Sequence, residues 1–255
     1  MTQSLDVDRL EQAVKAVYRD VAQTPDEEYH FEMGRVLAER LGYPAADLDR
    51  IPAEALESFA GVGYHFDYAA IEEGDDVLDL GSGSGTDAFV AALAVGDSGS
   101  VTGLDMTHEQ LEKARQLRDE AGLDNVSFEH GYIEEIPFDD GSFDVVISNG
   151  VINLSPEKAA VFEEAHRVLK AGGRLAISDI ISEELMPESI KTDEDLWASC
   201  IGGAEQIDRY RELIEDKGFE VEEVRENPEY EFISDQAANA CQKYGVKSAS
   251  VGARR

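Results

Sequence analysis

The sequence predicts an α/β fold, with a doubly wound, mostly parallel sheet of seven strands and a helical cap at the N-terminus. From residue 75 onward, short apolar runs alternate with stretches of helical periodicity, an order typical of parallel strands joined by right-handed crossovers. Before residue 64 the apolar residues follow helical spacing alone. We therefore expect a helical cap over residues 1–63 and a sheet domain over residues 64–255, in a chain long enough to bury a full core.

The cap is predicted to consist of helices. Apolar residues recur at roughly helical spacing over residues 5–22, and a second helix is expected over residues 27–42. Shorter helical pieces are expected between residues 45 and 60. Gly61 and Gly63 then mark a turn into the sheet domain.

The first strand and the turn after it form the centre of the sheet domain. Asp76–Leu80 has the pattern of a buried parallel strand, and Gly81, Gly83 and Gly85 follow at once. Glycines lack a Cβ and allow the backbone to turn sharply against a bound molecule. A strand, a glycine turn and a helix start are typical of the Rossmann-like nucleotide site at the carboxyl ends of parallel strands.

The spacing within this turn argues against two common nucleotide sites. The dinucleotide fingerprint G-x-G-x-x-G needs a glycine where Thr86 stands, and a phosphate-binding P-loop needs a lysine that is missing here. An NAD-dependent oxidoreductase is therefore disfavoured.

The remaining elements alternate along the chain. Thr107 is predicted to cap the helix after the second strand, with Gln110 completing a capping box, and Ser155 and Pro156 to start a later helix. The last two strands are expected to form an edge pair joined by a long connection over residues 230–245. The strands are expected at residues 101–105, 125–129, 143–148, 174–181, 219–224 and 246–251, and the helices at 107–121, 156–169 and 206–217.

Asp105 stands at the end of the second strand, twenty residues beyond Gly85. A carboxylate at this place in an open α/β sheet can accept hydrogen bonds from ribose hydroxyls. Met106 follows it and can pack against an adenine ring. Both residues indicate a nucleoside ligand without selecting one.

The charge of the chain restricts its partners. The formal net charge is -33, from 22 Lys and Arg against 55 Asp and Glu. Such a surface repels nucleic acid backbones and acidic lipids, so neither nucleic acid nor membrane is expected as a partner. Because the acids are spread along the whole chain, we interpret them as a solvated, halophilic surface in a high-salt cytoplasm.

The cysteines and histidines give further exclusions. Two cysteines provide no disulfide framework, and the five histidines show no metal-ligand spacing, so no metal site is expected. No signal peptide or membrane span is evident, which favours a cytoplasmic location. His65 is expected near the substrate entrance, as a candidate base or substrate contact.

Several motifs together resemble a known family. VLDLGSGSGTD, VTGLDMTHEQLEKAR, GYIEEIPFDDGSFDVVISNGVINLSPEK, EAHRVLKAGGRLAISDI and LWASCIGGA resemble the class I S-adenosylmethionine (SAM)-dependent methyltransferases, and most closely the arsenite methyltransferase family. The resemblance implies SAM as the cofactor. It also implies transfer of its methyl group to a small molecule, with arsenite or its thiol complex as one candidate.

The resemblance assigns roles to individual residues. The glycine turn would hold the methionine end of SAM and Asp105 the ribose, while Ile133 and Glu134 would flank the adenine. Asn149 is a candidate catalytic residue at the point where the methyl group is presented, and Tyr18 would close over SAM. The cofactor-binding residues implied are Tyr18, Asp79, Gly81, Ser82, Gly83, Gly85, Asp105, Met106, Ile133, Glu134 and Asn149.

The chain departs from this family at two cysteines. Gly150 replaces one of them, and Val62 or a neighbour replaces another. Cys200 alone matches a family position and is the candidate thiolate for a soft As(III) centre. Cys241 is extra and could join it only if the 230–245 connection folds back. Two alternatives therefore stay open: a methyltransferase for a small organic O, N or C nucleophile, and a SAM-binding or metalloid-sensing protein without turnover.

Overall fold

The structure is a computed structural model that describes residues 5–192, 196–197 and 200–255. Its centre is one sheet with the strand order β3-β2-β1-β4-β5-β8-β7, and the two-residue strand β6 pairs with β5. The predicted α/β class is confirmed, with β6 added to the seven expected strands. The strands are β1 Asp76–Leu80, β2 Ser100–Asp105, β3 Val126–His130, β4 Phe143–Asn149, β5 Leu169–Ser182, β6 Glu205–Gln206, β7 Glu220–Glu226 and β8 Lys247–Arg254.

Most of the sheet is parallel, as predicted. β1, β2, β3, β4, β5 and β6 pair in parallel, whereas β8 runs antiparallel between β5 and β7. The last two strands do pair, but only β7 lies at the edge. β8 takes the inner place because its apolar and small residues are buried from Ser248 to Ala253, while β7 is mostly exposed.

Helices cover both faces of the sheet. Val77 on β1 points into a core shared with α6 and α7, and its neighbour Leu78 points into the opposite core with α8 and α10. This alternation is what a strand buried on both faces requires. The helices are α1 Val7–Gln23, α2 Arg35–Leu41, α3 Ala45–Leu48, α4 Ala53–Glu57, α5 Phe66–Ala69, α6 Thr86–Val95, α7 His108–Ala121, α8 Lys158–Val168, α9 Glu188–Lys191, α10 Ile207–Glu215 and α11 Asp235–Tyr244.

The N-terminal region is helical but shares its core with the sheet. Residues of α2, α3 and α4 lie in the same apolar cluster as the sheet face that carries Val77. The division at residue 63 therefore stays a prediction. Within the described residues, none of the helices has the length and apolar character that a membrane crossing needs.

The helix predicted over residues 27–42 is wrong in its first half. The helix begins only at Arg35, because Gly34 has a φ of +91° and breaks the helical backbone. Upstream, Tyr29 and Phe31 stack on each other, and Phe31 also stacks on Tyr18 of α1. These ring contacts hold residues 29–31 against α1 in a non-helical form.

Thr107 is the N-cap residue of α7, as predicted, but the predicted capping box is absent and the predicted start of α8 is wrong. Thr107 does precede α7, but its side chain makes no capping hydrogen bond, and Gln110 is used elsewhere. α8 begins at Lys158 with Glu157 as its N-cap, not at Pro156. Ser155 instead accepts a hydrogen bond from the Glu157 amide at 3.1 Å and donates one to Glu134.

Candidate active site

A cavity of about 390 Å³ lies at the carboxyl ends of β1, β2 and β4. Its floor is the glycine turn after β1, its walls are the segments 105–110, 131–135 and 149–157, and its roof is α1. This is the place where open α/β sheets bind nucleotides. The sequence prediction of the site's location agrees with this geometry.

The three glycines of the turn do different things. Gly81 has a φ of +73° and a Cβ there would overlap Val151, and both residues line the cavity. Gly83 also lines it, with a φ of +52°. Gly85 does not line the cavity. It faces the core beneath, where a Cβ at this position would come within 2.7 Å of Phe128. It serves helix packing, whereas the resemblance implies cofactor contact.

Asp105 is held in place by backbone amides at the cavity wall. Its two carboxylate oxygens accept hydrogen bonds from Gly83 N at 2.9 Å and Thr107 N at 2.8 Å. Burial raises the pKa of Asp105, and these amides act in the opposite direction. Each oxygen keeps a second lone pair, so the carboxylate can still accept from two ribose hydroxyls.

Asp79 and Ser82 offer unpartnered polar atoms to the cavity. Asp79 is 2% exposed, and neither its Oδ2 nor Ser82 Oγ has a hydrogen-bond partner among the described residues. Burial first, and then the charges of Asp87 and Asp105, raise the pKa of Asp79 well above its usual range. Buried polar atoms are normally satisfied, so this cradle fits a ligand that brings donors and positive charge, as SAM does.

The residues that the resemblance places around the adenine lie together on the cavity wall. Met106, Ile133 and Glu134 all line it. Ile133 is 9% exposed and supplies an apolar wall. Glu134 accepts a hydrogen bond from Ser155, which orients its carboxylate.

One face of α1 forms the roof. Leu10, Val14 and Tyr18 line the cavity from above, at the i, i+4 and i+8 positions that share one side of a helix. Glu11 and Lys15 tie the roof to the rim, since Tyr132 Oη lies 2.8 Å from Glu11 Oε1 and 2.9 Å from Lys15 Nζ. Tyr18 is therefore placed over the site, as the resemblance implies.

Asn149 lines the cavity and also fixes the chain beside it. Its Oδ1 accepts from Val62 N at 2.8 Å, and its Nδ2 lies 3.1 Å from Asp87 Oδ2 and 3.0 Å from Tyr43 Oη. Tyr43 donates to Asp87 at 2.5 Å. This network positions the backbone at Val62, and the catalytic role of Asn149 stays a prediction.

Val62, one candidate for the first of the positions where the resemblance places cysteines, contacts the second position and shares an apolar cluster with the third. A Cβ at Gly150 would lie 3.2 Å from Val62 Cγ1, and Val62 shares an apolar cluster with Cys200. Cys241 on α11 packs against the same cluster, so the 230–245 connection does fold back.

Cys200 is present as a protonated thiol behind the cavity wall. Burial, and then the charge of Asp179, raise the pKa of the Cys200 thiol to about 12, while polar interactions with Tyr18 and Asn153 act in the opposite direction. Tyr18 lines the cavity but Cys200 does not. The thiol therefore lies one side chain away from the space where an acceptor would bind.

His65 does not lie at a substrate entrance, so this prediction is wrong. It is fully buried and stacks on Phe66 with ring centroids 4.7 Å apart, and burial lowers its pKa. Neither ring nitrogen has a hydrogen-bond partner among the described residues. The aromatic residues around it in GYHFDY draw it into the core instead.

Sequence reasoning missed Asp87, Tyr43 and Gln110. Asp87 lines the cavity, and its place in the first turn of the helix after the glycines was an available signal. Tyr43 follows the helix predicted over residues 27–42, and nothing in the sequence signals its contacts with Asp87 and Asn149. In the described part of the chain, no cluster of His, Cys, Asp or Glu is suited to hold a metal ion.

Comparisons with known proteins agree with this geometry. A family profile described as a methyltransferase domain matches residues 71–218. An arsenite methyltransferase of Halobacterium salinarum is 41% identical over 219 residues, covering 86% of this chain and 56% of that protein. A demethylmenaquinone methyltransferase of Listeria welshimeri is 41% identical over 110 residues, covering 43% of this chain and 46% of that protein.

A solved structure extends the likeness to the fold. The crystal structure of an arsenic(III) S-adenosylmethionine methyltransferase from Chlamydomonas reinhardtii matches with a TM-score of 0.70 and 37% identity, covering 82% of this chain and 72% of that one. The chain spans about half the length of the curated relatives named above. It belongs to the class I SAM-dependent methyltransferases, in the group that contains the arsenite methyltransferases.

Proposed function

We propose that the protein transfers a methyl group from SAM to a small acceptor. The observation that carries this proposal is the cradle formed by Asp79, the glycine turn and Asp105 at the carboxyl ends of β1 and β2. SAM supplies a methyl group already activated by its sulfonium charge. The protein's own task is then to hold, align and enclose the reactants.

The chain's residues are suited to that task. The carboxylates of Asp79, Asp87 and Asp105 surround the cavity floor and favour a cationic ligand. The Asn149 network fixes the segment at Val62 beside the acceptor end. The apolar face of α1 keeps water out of the space in which the methyl group moves.

Calorimetry tests the choice of cofactor. SAM and its demethylated product should both release or absorb heat on binding, whereas NAD should give none. If neither SAM nor its demethylated product binds, the proposed function is wrong.

We further propose that the acceptor is trivalent arsenic carried by small thiols. The relatives named as arsenite methyltransferases support this choice, as do the contact between positions 62 and 150 and the apolar cluster that Val62 shares with Cys200. Because Cys200 is the single thiol left at those positions, the protein cannot supply three sulfurs to the soft As(III) centre. Small thiols fill the other places. Cys200 exchanges onto arsenic, and the departing small thiol carries away the Cys200 proton.

Arsenic methylation in the presence of a small thiol tests this acceptor. The wild type should form methylated arsenicals from SAM and arsenite, and Cys200→Ser should lower the rate at least tenfold without changing SAM affinity. Cys241→Ser is the matched control, because Cys241 is a half-buried thiol packed against the same cluster. Equal rates for the wild type and Cys200→Ser would contradict a role for this thiol.

A second candidate acceptor is a small organic O, N or C nucleophile. It is favoured by the lining of the acceptor end, where Gly61, Gly150, Val151 and Leu154 offer no thiol to the cavity. The Listeria relative, a demethylmenaquinone methyltransferase, also supports it. A panel of phenols, amines and quinols assayed with SAM separates the two candidates, since turnover of an organic acceptor with none of arsenite would favour this one.

The cytoplasmic, high-salt setting remains part of the proposal. Its support is the net charge of -33 and the two free cysteines. Molar KCl screens the repulsion among surface carboxylates, so the unfolding temperature should rise between about 0.1 M and 2 M KCl. A flat response would contradict the halophilic interpretation.

A further inference from the structure

Gln110 forms a buried bridge between two parts of the site. It is 2% exposed on the inner side of α7 and lines the cavity. Its Oε1 accepts a hydrogen bond from Ser84 Oγ at 2.5 Å, and its Nε2 donates to the Tyr18 carbonyl oxygen at 2.8 Å. One side chain thereby joins the glycine turn to the roof helix α1.

The turn end of this bridge is tied to the ribose carboxylate. Ser84 is 5% exposed and directly follows Gly83, whose amide donates to Asp105 at 2.9 Å. The position of Ser84 is therefore set by the same backbone that faces the cofactor. A movement of this turn therefore changes the hydrogen bond between Ser84 Oγ and Gln110 Oε1.

The roof end ties α1 through a partly buried bond, and a second tie on this helix runs from Ser58 Oγ to the Val21 carbonyl oxygen at 3.3 Å. The other polar tie described above, from Glu11 and Lys15 to Tyr132, is at the solvent-exposed rim, where an ion pair contributes little. The bond from the 2%-exposed Gln110 side chain to the Tyr18 carbonyl is partly buried. A buried amide that loses its partner is costly, so this contact holds α1 more firmly than the rim does.

We propose that Gln110 is a positioning residue that couples the glycine turn to the closure of α1 over the cavity. The proposal rests on the proposed function, because the coupled ligand is SAM or its demethylated product. Occupancy of the turn fixes Ser84, Ser84 fixes the Gln110 amide, and the amide holds the helix that excludes water. Gln110 acts through Ser84 and Tyr18 and takes no part in the methyl transfer itself.

Hydrogen exchange of the α1 amides tests this coupling. Gln110→Met keeps the length and helix propensity of the side chain but removes both hydrogen bonds. Without ligand it should lower protection across residues 7–23 about five- to tenfold, the size expected for one buried hydrogen bond, and leave α8 unchanged. Adding the demethylated product should raise α1 protection in the wild type much more than in Gln110→Met.

A matched control lies on the same helix. Gln116 is exposed and donates to Glu120 at 2.8 Å, so Gln116→Met makes the same chemical change away from the site. It should leave α1 protection and product affinity at wild-type values. Gln110→Met should weaken product binding about fivefold and raise KM for SAM more than it lowers kcat.

Gln110→Glu separates the two halves of the bridge. The variant keeps an acceptor for Ser84 but turns an oxygen toward the Tyr18 carbonyl, so it should loosen α1 at least as much as Gln110→Met. Unchanged α1 protection in both variants, or an equal loss of protection in α1 and α8, would overturn the proposal. If the product does not bind the wild type at all, the proposed function fails, while the ligand-free comparison still decides whether Gln110 holds α1.

Discussion

The donor end and the acceptor end of the cavity are built in different ways. At the donor end, polar groups from two neighbouring strand ends hold one another, as the Asp105 carboxylate does with the Gly83 amide. At the acceptor end Gly61, Gly150, Val151 and Leu154 line the cavity, and a Cβ at Gly150 would lie 3.2 Å from Val62, which is outside this lining. These residues come from parts of the chain that are far apart in the sequence.

This difference separates cofactor binding from acceptor choice. The turn between Gly81 and Gly85 has three positive φ values and close core contacts, so few changes are tolerated there. Val62 and Gly150 can change without touching the carboxylates that face the cofactor. The glycine turn at the donor end matches the motif of the resemblance, whereas the cysteines that the resemblance implies at Val62 or a neighbour and at Gly150 are missing here.

The largest effect should come from filling the space at Gly85. Gly85→Ala places a Cβ 2.7 Å from Phe128 Cζ with φ at +96°. We expect the free energy of unfolding to fall by about 2 to 5 kcal/mol, from overpacking and the left-handed backbone together. Urea unfolding followed by circular dichroism measures this.

Gly122→Ala is the control for the backbone cost alone. Gly122 has a φ of +66°, and no heavy atom of the described residues lies within 4 Å of the place where its Cβ would stand. Its replacement should cost only about 1 to 2 kcal/mol. Similar losses for the two variants would show that the donor turn is not tightly packed.

Asp105→Asn should weaken the donor end, because the side chain loses its charge and keeps only one oxygen for the two backbone N–H groups that it holds. The carboxylate is expected to hold the ribose, so SAM affinity should fall by about 1.5 to 3 kcal/mol, the value of a charged hydrogen bond. Calorimetry measures the change, and Asp124→Asn at an exposed position is the control. Unchanged affinity would refute the ribose role.

The same contrast explains what the sequence could predict. The location of the donor end can be predicted from a local motif of a strand, a glycine turn and an acid at the end of the next strand. The parallel sheet alone brings these three features together. Gln110 was assigned to a local cap, but its real partners, Ser84 and Tyr18, lie in other elements. His65 was misplaced because its burial depends on packing around Phe66. The partners of Gln110, the burial of His65 and the shape of the acceptor end all depend on tertiary contacts, which a local sequence pattern does not encode.

Val62→Cys should partly restore the acceptor end. Val62 and Cys200 share one apolar cluster, so the variant adds a second thiol to the cluster that holds the first. Once one thiol holds arsenic, binding by the second becomes intramolecular, and retention of As(III) should rise at least tenfold. Titration with arsenite, followed by the loss of free thiol, measures this. The double variant Val62→Cys with Cys200→Ser should lose the gain, and a gain that persists would show that the two positions do not act together.

The smallest effect is a pH dependence set by Asp79. Its pKa is raised in the free protein by burial and by Asp87 and Asp105, and a cationic ligand favours the charged carboxylate. SAM binding should therefore release a proton, and SAM affinity should rise with pH by at most about tenfold per unit until the pKa of Asp79 is passed. Calorimetry in buffers of different ionisation enthalpy measures this proton release.

Asp79→Asn tests the same point through stability. A carboxyl whose pKa is raised on folding contributes stability below its unfolded pKa, near 3.9, and loses that contribution as pH rises through the folded pKa. Without ligand, the Asn variant should therefore unfold at a higher temperature than the wild type at neutral pH, and the gap should close toward pH 4. The variant should also bind SAM more weakly, with a flatter pH profile. A variant that is less stable than the wild type at neutral pH would contradict this interpretation. It would mean that Asp79 stabilises the donor end even without a cationic ligand.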